Sequence, residues 1–409
     1  MLIPAQVRKL MAIAGVLTSE SVIQLAAQSP ATPPAAPKSM YWVYVGAESA
    51  DQIHRVRFGP DGARVERTIP IGELAAEMEG PHGLAISRDG KYLHMTTGHG
   101  FPDGKYWRYE LGPDTLVSQG TLLGNFPASI DISPDGLYAI AANFNLHGDM
   151  VPSSHSVIYT PTQTEVTRII TCTMPHGSRI DPSGRFHYSG CMMDDQLVEI
   201  DTKSFKVSRR FSLVKGKEKP LAVTDRGQMA AHVPQQTGAK KPAPEVDPAD
   251  VGYRGMRHQM TPNTCSPTWA QPSANGSKIY VACNKSDEIL EIDREKWGVT
   301  RRFATGRGPY NLAVSPDGTW LVATLKQGGM IELFDLTSGT SVGKIRSSTT
   351  VTHGVVVSPD SRYAFISSEG VGAEPGKVDV VDLTAKAIVG TVDVGQQASG
   401  IAFWKMESR

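Results

Sequence analysis

One short phrase, an extended start, a Ser-Pro-Asp-Gly-like turn and an apolar strand, recurs along this chain at intervals of roughly 42 to 48 residues, with one longer gap. It reads GPHGLAISRDGKYLHMTTG from Gly80, FPASIDISPDGLYAIAAN from Phe126, MPHGSRIDPSGRFHYSGC from Met174 and SPTWAQPSANGSKIYVACN from Ser266. GPYNLAVSPDGTWLVATLK from Gly308, THGVVVSPDSRYAFISSE from Thr352 and the half-copy ASGIAFW from Ala398 complete the series. Apolar runs flanking a turn of Pro, Asp, Ser and Gly make each copy an antiparallel strand pair, and a second pair usually follows. Four short strands per ~45 residues is one blade of a β-propeller, a fold that keeps sheet edges short by setting small sheets around a central channel. The chain opens with unpaired strands, YWVYVGAE from Tyr41 and QIHRVRF from Gln52, and its last copy stops after one strand. The expected fold is therefore all-β: a seven-bladed propeller of four-stranded antiparallel blades, the last closed by the N- and C-terminal strands, in one domain over 41–409.

The charges balance, with 41 Lys plus Arg against 41 Asp plus Glu, so the chain as a whole has no electrostatic reason to seek nucleic acid or anionic lipid. Arg8 and Lys9 precede LMAIAGVL, small residues stand at Ala26 and Ala27, and SPATPPAAPKS follows. Residues 1–40 read as a secretory signal and a flexible Pro/Ala-rich spacer, with a disordered tail as the alternative; the apolar stretch is too short for a transmembrane span. The protein is expected to be periplasmic or secreted and monomeric. Cys172 and Cys191 flank the first strand pair of one copy, and Cys265 and Cys283 occupy nearly the same places in the next. The start of one antiparallel strand lies beside the end of its neighbour, so two disulfides are expected, Cys172 with Cys191 and Cys265 with Cys283. Four buried thiols are the alternative; a thiolate metal site is disfavoured because no Cys-x-x-Cys occurs.

LYAIAAN ending at Asn143, IYVACN ending at Asn284, and SPDG at 133–136 and 315–318 resemble the YVTN repeats of YncE-like and lactonase-like seven-bladed propellers, over 41–404. The resemblance implies the fold. It implies no single activity, because related propellers include lactonases, lyases, metal enzymes and binding modules.

In such a fold the starts of the innermost strands and the ends of the second strands share one face, while the turn aspartates Asp89, Asp135, Asp317 and Asp360 lie on the other as turn formers. The equivalent starts are His82, Ala128, His176, Thr268, Tyr310, His353 and Ser399. Three are histidines, each followed by glycine, and three imidazoles converging on a channel suit Cu, Zn or Fe with open coordination positions. His99, His147 and His155 fall on the same face. The metal-ligand candidates are His82, His176, His353 and His99; a metal-free ligand-contacting role, or hydrogen bonding to neighbouring backbone, are the alternatives. His94 and His187 read as packed residues and His54 as remote. Asp194 and Glu369 are candidate general bases and Lys326 a candidate for neutralising an anion, with Tyr310, Asn143, Asn284 and Arg307 as ligand contacts. Asp195 follows Asp194 on the same face, and Met192 and Met193 read as space-filling residues before soft ligands.

The long gap holds the Lys-, Pro- and Gly-rich segment 213–262, read as an insertion covering the site as a lid, with His232, Tyr253, Arg254 and His258 as late contacts. A disordered partner-binding loop, or a degenerate eighth blade at LAVTDRGQMAAHV, are the alternatives. No nucleophile elbow, phosphate-binding loop, His-Glu-x-x-His or haem-attachment motif occurs. Two classes remain: an exported propeller binding a metal ion or small ligand, extending to a metal-dependent lactonase-, lyase- or oxidoreductase-like enzyme, or a non-catalytic protein-interaction scaffold of the cell envelope.

Overall fold

The computed structural model describes residues 36–73, 77–99, 104–146, 148–223 and 263–408. The signal-like segment, His147 and the 224–262 part of the insertion, with His232, Tyr253, Arg254 and His258, lie outside the described residues.

Alternating apolar runs form strands throughout, and their innermost members close into a ring. Strands Pro81–Ile86, Pro127–Ile132, Pro175–Ile180, Pro267–Pro272, Pro309–Val314, Thr352–Val357 and Ala398–Ser408 each pack on the next, and the last returns to the first. The architecture is an all-β propeller. The C-terminal strand pairs antiparallel with Ser39–Ala47, for example Tyr41 with Met406 and Val45 with Ile401, so one sheet is built from both ends of the chain.

Seven separate four-stranded blades do not form. Four sheets have four strands, one has five and one has nine. In the nine-stranded sheet Pro175–Ile180 and Pro267–Pro272 are joined in parallel through Gly177 and Trp269. Gly177 permits this because a Cβ there would lie 2.4 Å from the Thr268 carbonyl oxygen, closer than real contacts allow. Lys219–Leu221, from the start of the insertion, adds a strand beside Lys206–Ser212 at the edge of the same sheet. In the five-stranded sheet the outer strand breaks into Thr115–Leu116 and Thr121–Leu122, both paired with Lys105–Glu110. Between them Gly120 turns with φ +74° against the Trp107 ring.

The far face carries the hairpin turns. Ser133 donates to Asp135 (2.5 Å), whose carboxylate accepts the Leu137 N–H (3.0 Å), and Ser315 with Asp317 repeats the arrangement. These aspartates are turn formers. Both expected disulfides are present, Cys172–Cys191 and Cys265–Cys283, with Cα separations of 5.9 and 4.4 Å. Such bridges persist in oxidising compartments, which fits a periplasmic or extracellular protein. Among the described residues no helix is long and apolar enough to cross a membrane.

The glycines behind the strand-start residues let the innermost strands approach each other. A Cβ on Gly354 would lie 2.6 Å from the Ser399 carbonyl oxygen and 2.7 Å from Ser367 Oγ. Gly354→Ala is expected to cost about 1–3 kcal/mol through overpacking. Urea unfolding checks this, and an unchanged midpoint contradicts it.

Candidate functional site

The site is assembled by one repeated backbone closure. Immediately before each innermost strand, two residues ahead of the aligned position that holds His82, His176 or His353, the chain takes a left-handed conformation, as at Phe126 (φ 47°), Met174 (φ 55°), Val351 (φ 63°) and Gln397 (φ 56°). The carbonyls of these residues accept the N–H groups of Phe144, Met192, Glu369 and Glu48, at 2.7, 3.0, 3.0 and 3.0 Å. Each strand start is thereby locked beside the residue that follows a second or terminal strand, and both sets surround one mouth of the channel. The start residues then reach sideways. His82 Nδ1 lies 2.6 Å from the Ala128 carbonyl oxygen and His176 Nδ1 3.0 Å from that of Thr268. A carbonyl oxygen only accepts, so Nδ1 of each ring donates and Nε2 is turned to the channel side, the orientation a metal ligand requires.

At the centre, ligand atoms of Glu48, His82 and His353 all lie within 4.8 Å of one another, and all three residues are buried. Glu48 Oε2 is held by His99 Nε2 (3.0 Å) and Gln397 Nε2 (3.2 Å), while Oε1 stands 3.6 Å from His82 Nε2. Burial opposes the Glu48 charge, but His82, His99 and Ser399 outweigh it and hold the pKa below the ordinary value. His176 stands beside this group, its Nε2 accepting from the Tyr310 hydroxyl at 2.9 Å. Burial pushes His176 down to about 3, and its neighbours His82 and Lys326 act in the same direction. His353 is depressed further by burial, Lys326, His82 and His176, so both rings are neutral.

A second charged pair borders the group. Lys326 Nζ lies 2.6 Å from Glu369 Oε1 and 4.4 Å from the Tyr310 ring centroid, and His353 Nε2 is 3.9 Å from the same Glu369 oxygen. Burial raises the Glu369 pKa and Lys326 only partly offsets this. Burial also works against the Lys326 charge, but Tyr310, Glu369 and Glu48 lift its pKa above the ordinary lysine range. The Tyr310 phenol is pushed up to about 12 by burial, against the Lys326 charge, so it remains a donor. Chemically the mouth offers two neutral imidazoles and a carboxylate for a cation, a raised carboxylate for proton transfer, and an ammonium for an oxyanion. Its remaining wall is divided. Phe126, Phe144 and Met174, with Met192 and Met193 against them, form an apolar half, while Asn284, Lys326 and Glu369 occupy the other.

The sequence candidates fall in different places. His82, His353, His99, His176, Glu369, Lys326 and Tyr310 come together. Asn284 stands at the rim, donating to the Pro309 carbonyl oxygen (3.2 Å) and accepting from Gln327. Arg307 is exposed. Asn143 turns inward to Ser154 and Ser156 (3.0 and 2.9 Å) because it still belongs to strand Tyr138–Asn143, and Phe144 takes the place equivalent to Asn284. Asp194 and Asp195 hold backbone, accepting the N–H groups of Thr173 (2.7 Å) and of Thr264 and Ser266 (2.6 and 2.7 Å). His155 faces His187 between two sheets, ring centroids 5.2 Å apart. Glu48 escaped the sequence reading. Its signal was the alignment of YVGAESAD with YVACNKSD, which sets Glu48 at the Asn284 position, with Asp51 and Asp287 both left-handed three residues on.

Among solved structures the fold is similar to the Pseudomonas aeruginosa periplasmic gluconolactonase PpgL, with a TM-score of 0.64 and 16% identity over 90% of this chain and 99% of that one. Kuenenia stuttgartiensis hydrazine synthase is also similar, with a TM-score of 0.54 and 12% identity over the same shares. At these identities the likeness shows the fold alone. No protein-family model matches the sequence, and comparison with curated proteins gives no match.

Burial also takes His94 and His155 down to about 3. On unfolding these rings and His176 regain their ordinary value, so between about pH 6.5 and 3 the unfolded chain binds more protons. Stability should fall on acidification through this window, by up to about 1.4 kcal/mol per pH unit for each such ring. Urea midpoints that do not change from about pH 7 to 4 contradict it.

Proposed function

We propose that the channel mouth binds a divalent transition metal through Glu48, His82 and His353 and hydrolyses a small lactone or ester. The observation that carries this reading is the buried Glu48–His82–His353 group, whose atoms stand close enough to share one ion, with His82 and Glu48 pre-oriented through their far atoms. One carboxylate with two imidazoles suits Zn²⁺ or Fe²⁺ and leaves coordination positions open. Charge favours the cation as well: with neutral rings, Glu48 and Glu369 outweigh the single ammonium of Lys326. An ion held there supplies Lewis acidity to a carbonyl and lowers the pKa of water.

The chain's own groups do the rest. Glu369 takes a proton from the attacking water as oxygen adds to the acyl carbon. The Lys326 ammonium faces the developing oxyanion, while the Tyr310 hydroxyl, donating to His176 Nε2, fixes that ring beside it. When the acyl C–O bond breaks, the protonated Glu369 returns its proton to the leaving alkoxide, and the products are an alcohol and a carboxylic acid that releases its proton to solvent, one molecule in the case of a lactone. Phe126, Phe144, Met192 and Met193 favour a substrate with an apolar flank on the side away from Lys326. The likeness to a periplasmic gluconolactonase supports a lactone, and the disulfides support an exported enzyme.

Hydrolysis of a panel of lactones and esters tests this. Chelator treatment should abolish activity, and Zn²⁺ or Fe²⁺ restore it. Because Glu369 must be ionised to act as base, the rate should rise with pH through a limb above the ordinary glutamate range. Glu369→Gln should remove that limb and about 10²–10⁴-fold of rate. A metal-loaded protein inactive on the whole panel contradicts the reading and favours a binding role.

A further inference from the structure

Beneath the histidines the channel narrows to a cavity of about 20 Å³, room for one water-sized occupant. It is lined by His353, Trp269, Asn311 and Arg179 among others, and its polar atoms are left unmatched. Trp269 Nε1, Asn311 Oδ1 and His353 Nδ1 are buried with no hydrogen-bond partner. The Arg179 guanidinium lies 4.6 Å from the Trp269 ring centroid, and among the described residues its Nη1 donates to the Ser178 carbonyl oxygen at 2.9 Å. No carboxylate forms an ion pair with it among the described residues. Asp131, whose charge reaches it, uses its two oxygens on the N–H groups of Ile132 and Ile180, at 2.9 and 2.8 Å.

His82 and His176 each hold a neighbouring carbonyl with Nδ1, at 2.6 and 3.0 Å; at the equivalent position the Ser399 carbonyl stands beside His353, but Nδ1 makes no bond of comparable geometry.

We propose that this cavity is a binding site for a single halide-sized inorganic anion, chloride in particular. Trp269 offers an N–H that cannot accept, Arg179 offers N–H donors with a positive charge, and the Asn311 amide turns either end inward. A water accepts two hydrogen bonds at most and must also place its own two protons, whereas a monoatomic anion takes every donor and neutralises the guanidinium. Access runs from the hairpin face, where an open depression of about 300 Å³ shares Leu84, Ile130, Arg179 and Ile401 with the cavity and has both Arg88 and Asp131 in its wall, the Asp131 oxygens being taken by backbone N–H groups. The site needs no metal above it, so it stands or falls separately from the hydrolytic reading.

Diffraction at the bromine absorption edge, from metal-free crystals prepared in bromide without chloride, tests it. The expected result is an anomalous peak in contact with Arg179, Trp269 and Asn311, lost in Trp269→Phe. Wild-type density that contains only a water there, or bromide peaks confined to the surface as adventitious ions, overturns the proposal. A peak kept at equal occupancy in Trp269→Phe overturns the assigned donors.

Discussion

The hydrogen bonds that tie each innermost strand to the next organise both the ring and its mouth. His82 to the Ala128 carbonyl, His176 to Thr268 and Thr268 to Tyr310 are the same contact made by different side chains, and Ser399 closes the ring one residue away, on the Pro81 carbonyl. Where the residue is Ser or Thr the contact only closes the ring. Where it is His82 or His176, the ring also uses up Nδ1 and turns Nε2 to the channel side. Closure of the fold therefore orients these rings toward the channel, and the glycine behind each histidine, with no Cβ to hold the strands apart, keeps the strands close.

Glu48 is the residue that turns a set of imidazoles into a site. A buried carboxylate is costly unless hydrogen-bonded, and bonds to a charged group contribute about 1.5–3 kcal/mol each. His99 and Gln397 supply two such bonds to one oxygen, which leaves the other beside His82. Glu369, by contrast, is coupled to Lys326 and has its pKa raised, so the two carboxylates of the mouth are set to different tasks by their partners. Pairs of titratable groups driven apart in this way are how a site separates charge holding from proton transfer.

Much of this was legible in the sequence and some of it could not have been. Period and turn chemistry gave the all-β propeller, the pairing of the two chain ends, the far-face aspartates and both disulfides, because each depends on local spacing. The joining of two strand sets into a nine-stranded sheet depends instead on how closely Gly177 approaches Trp269, a tertiary distance that no periodicity encodes. Asn143 was misplaced by one residue, which is enough to turn a side chain from the mouth into the sheet. Glu48 lies in the one sheet divided between the termini, where no intact copy was available for alignment, and its role depends on His99 and Gln397 from distant parts of the chain.

The central claim is that Glu48, His82 and His353 hold one metal ion. Calorimetric titration of Zn²⁺ into chelator-stripped, untagged protein tests it most directly. The account predicts one site per chain, weakened about tenfold or more by Glu48→Gln and by His353→Ala, with a smaller change for His176→Ala. The absence of a stoichiometric site, or one indifferent to Glu48 and His353, contradicts it.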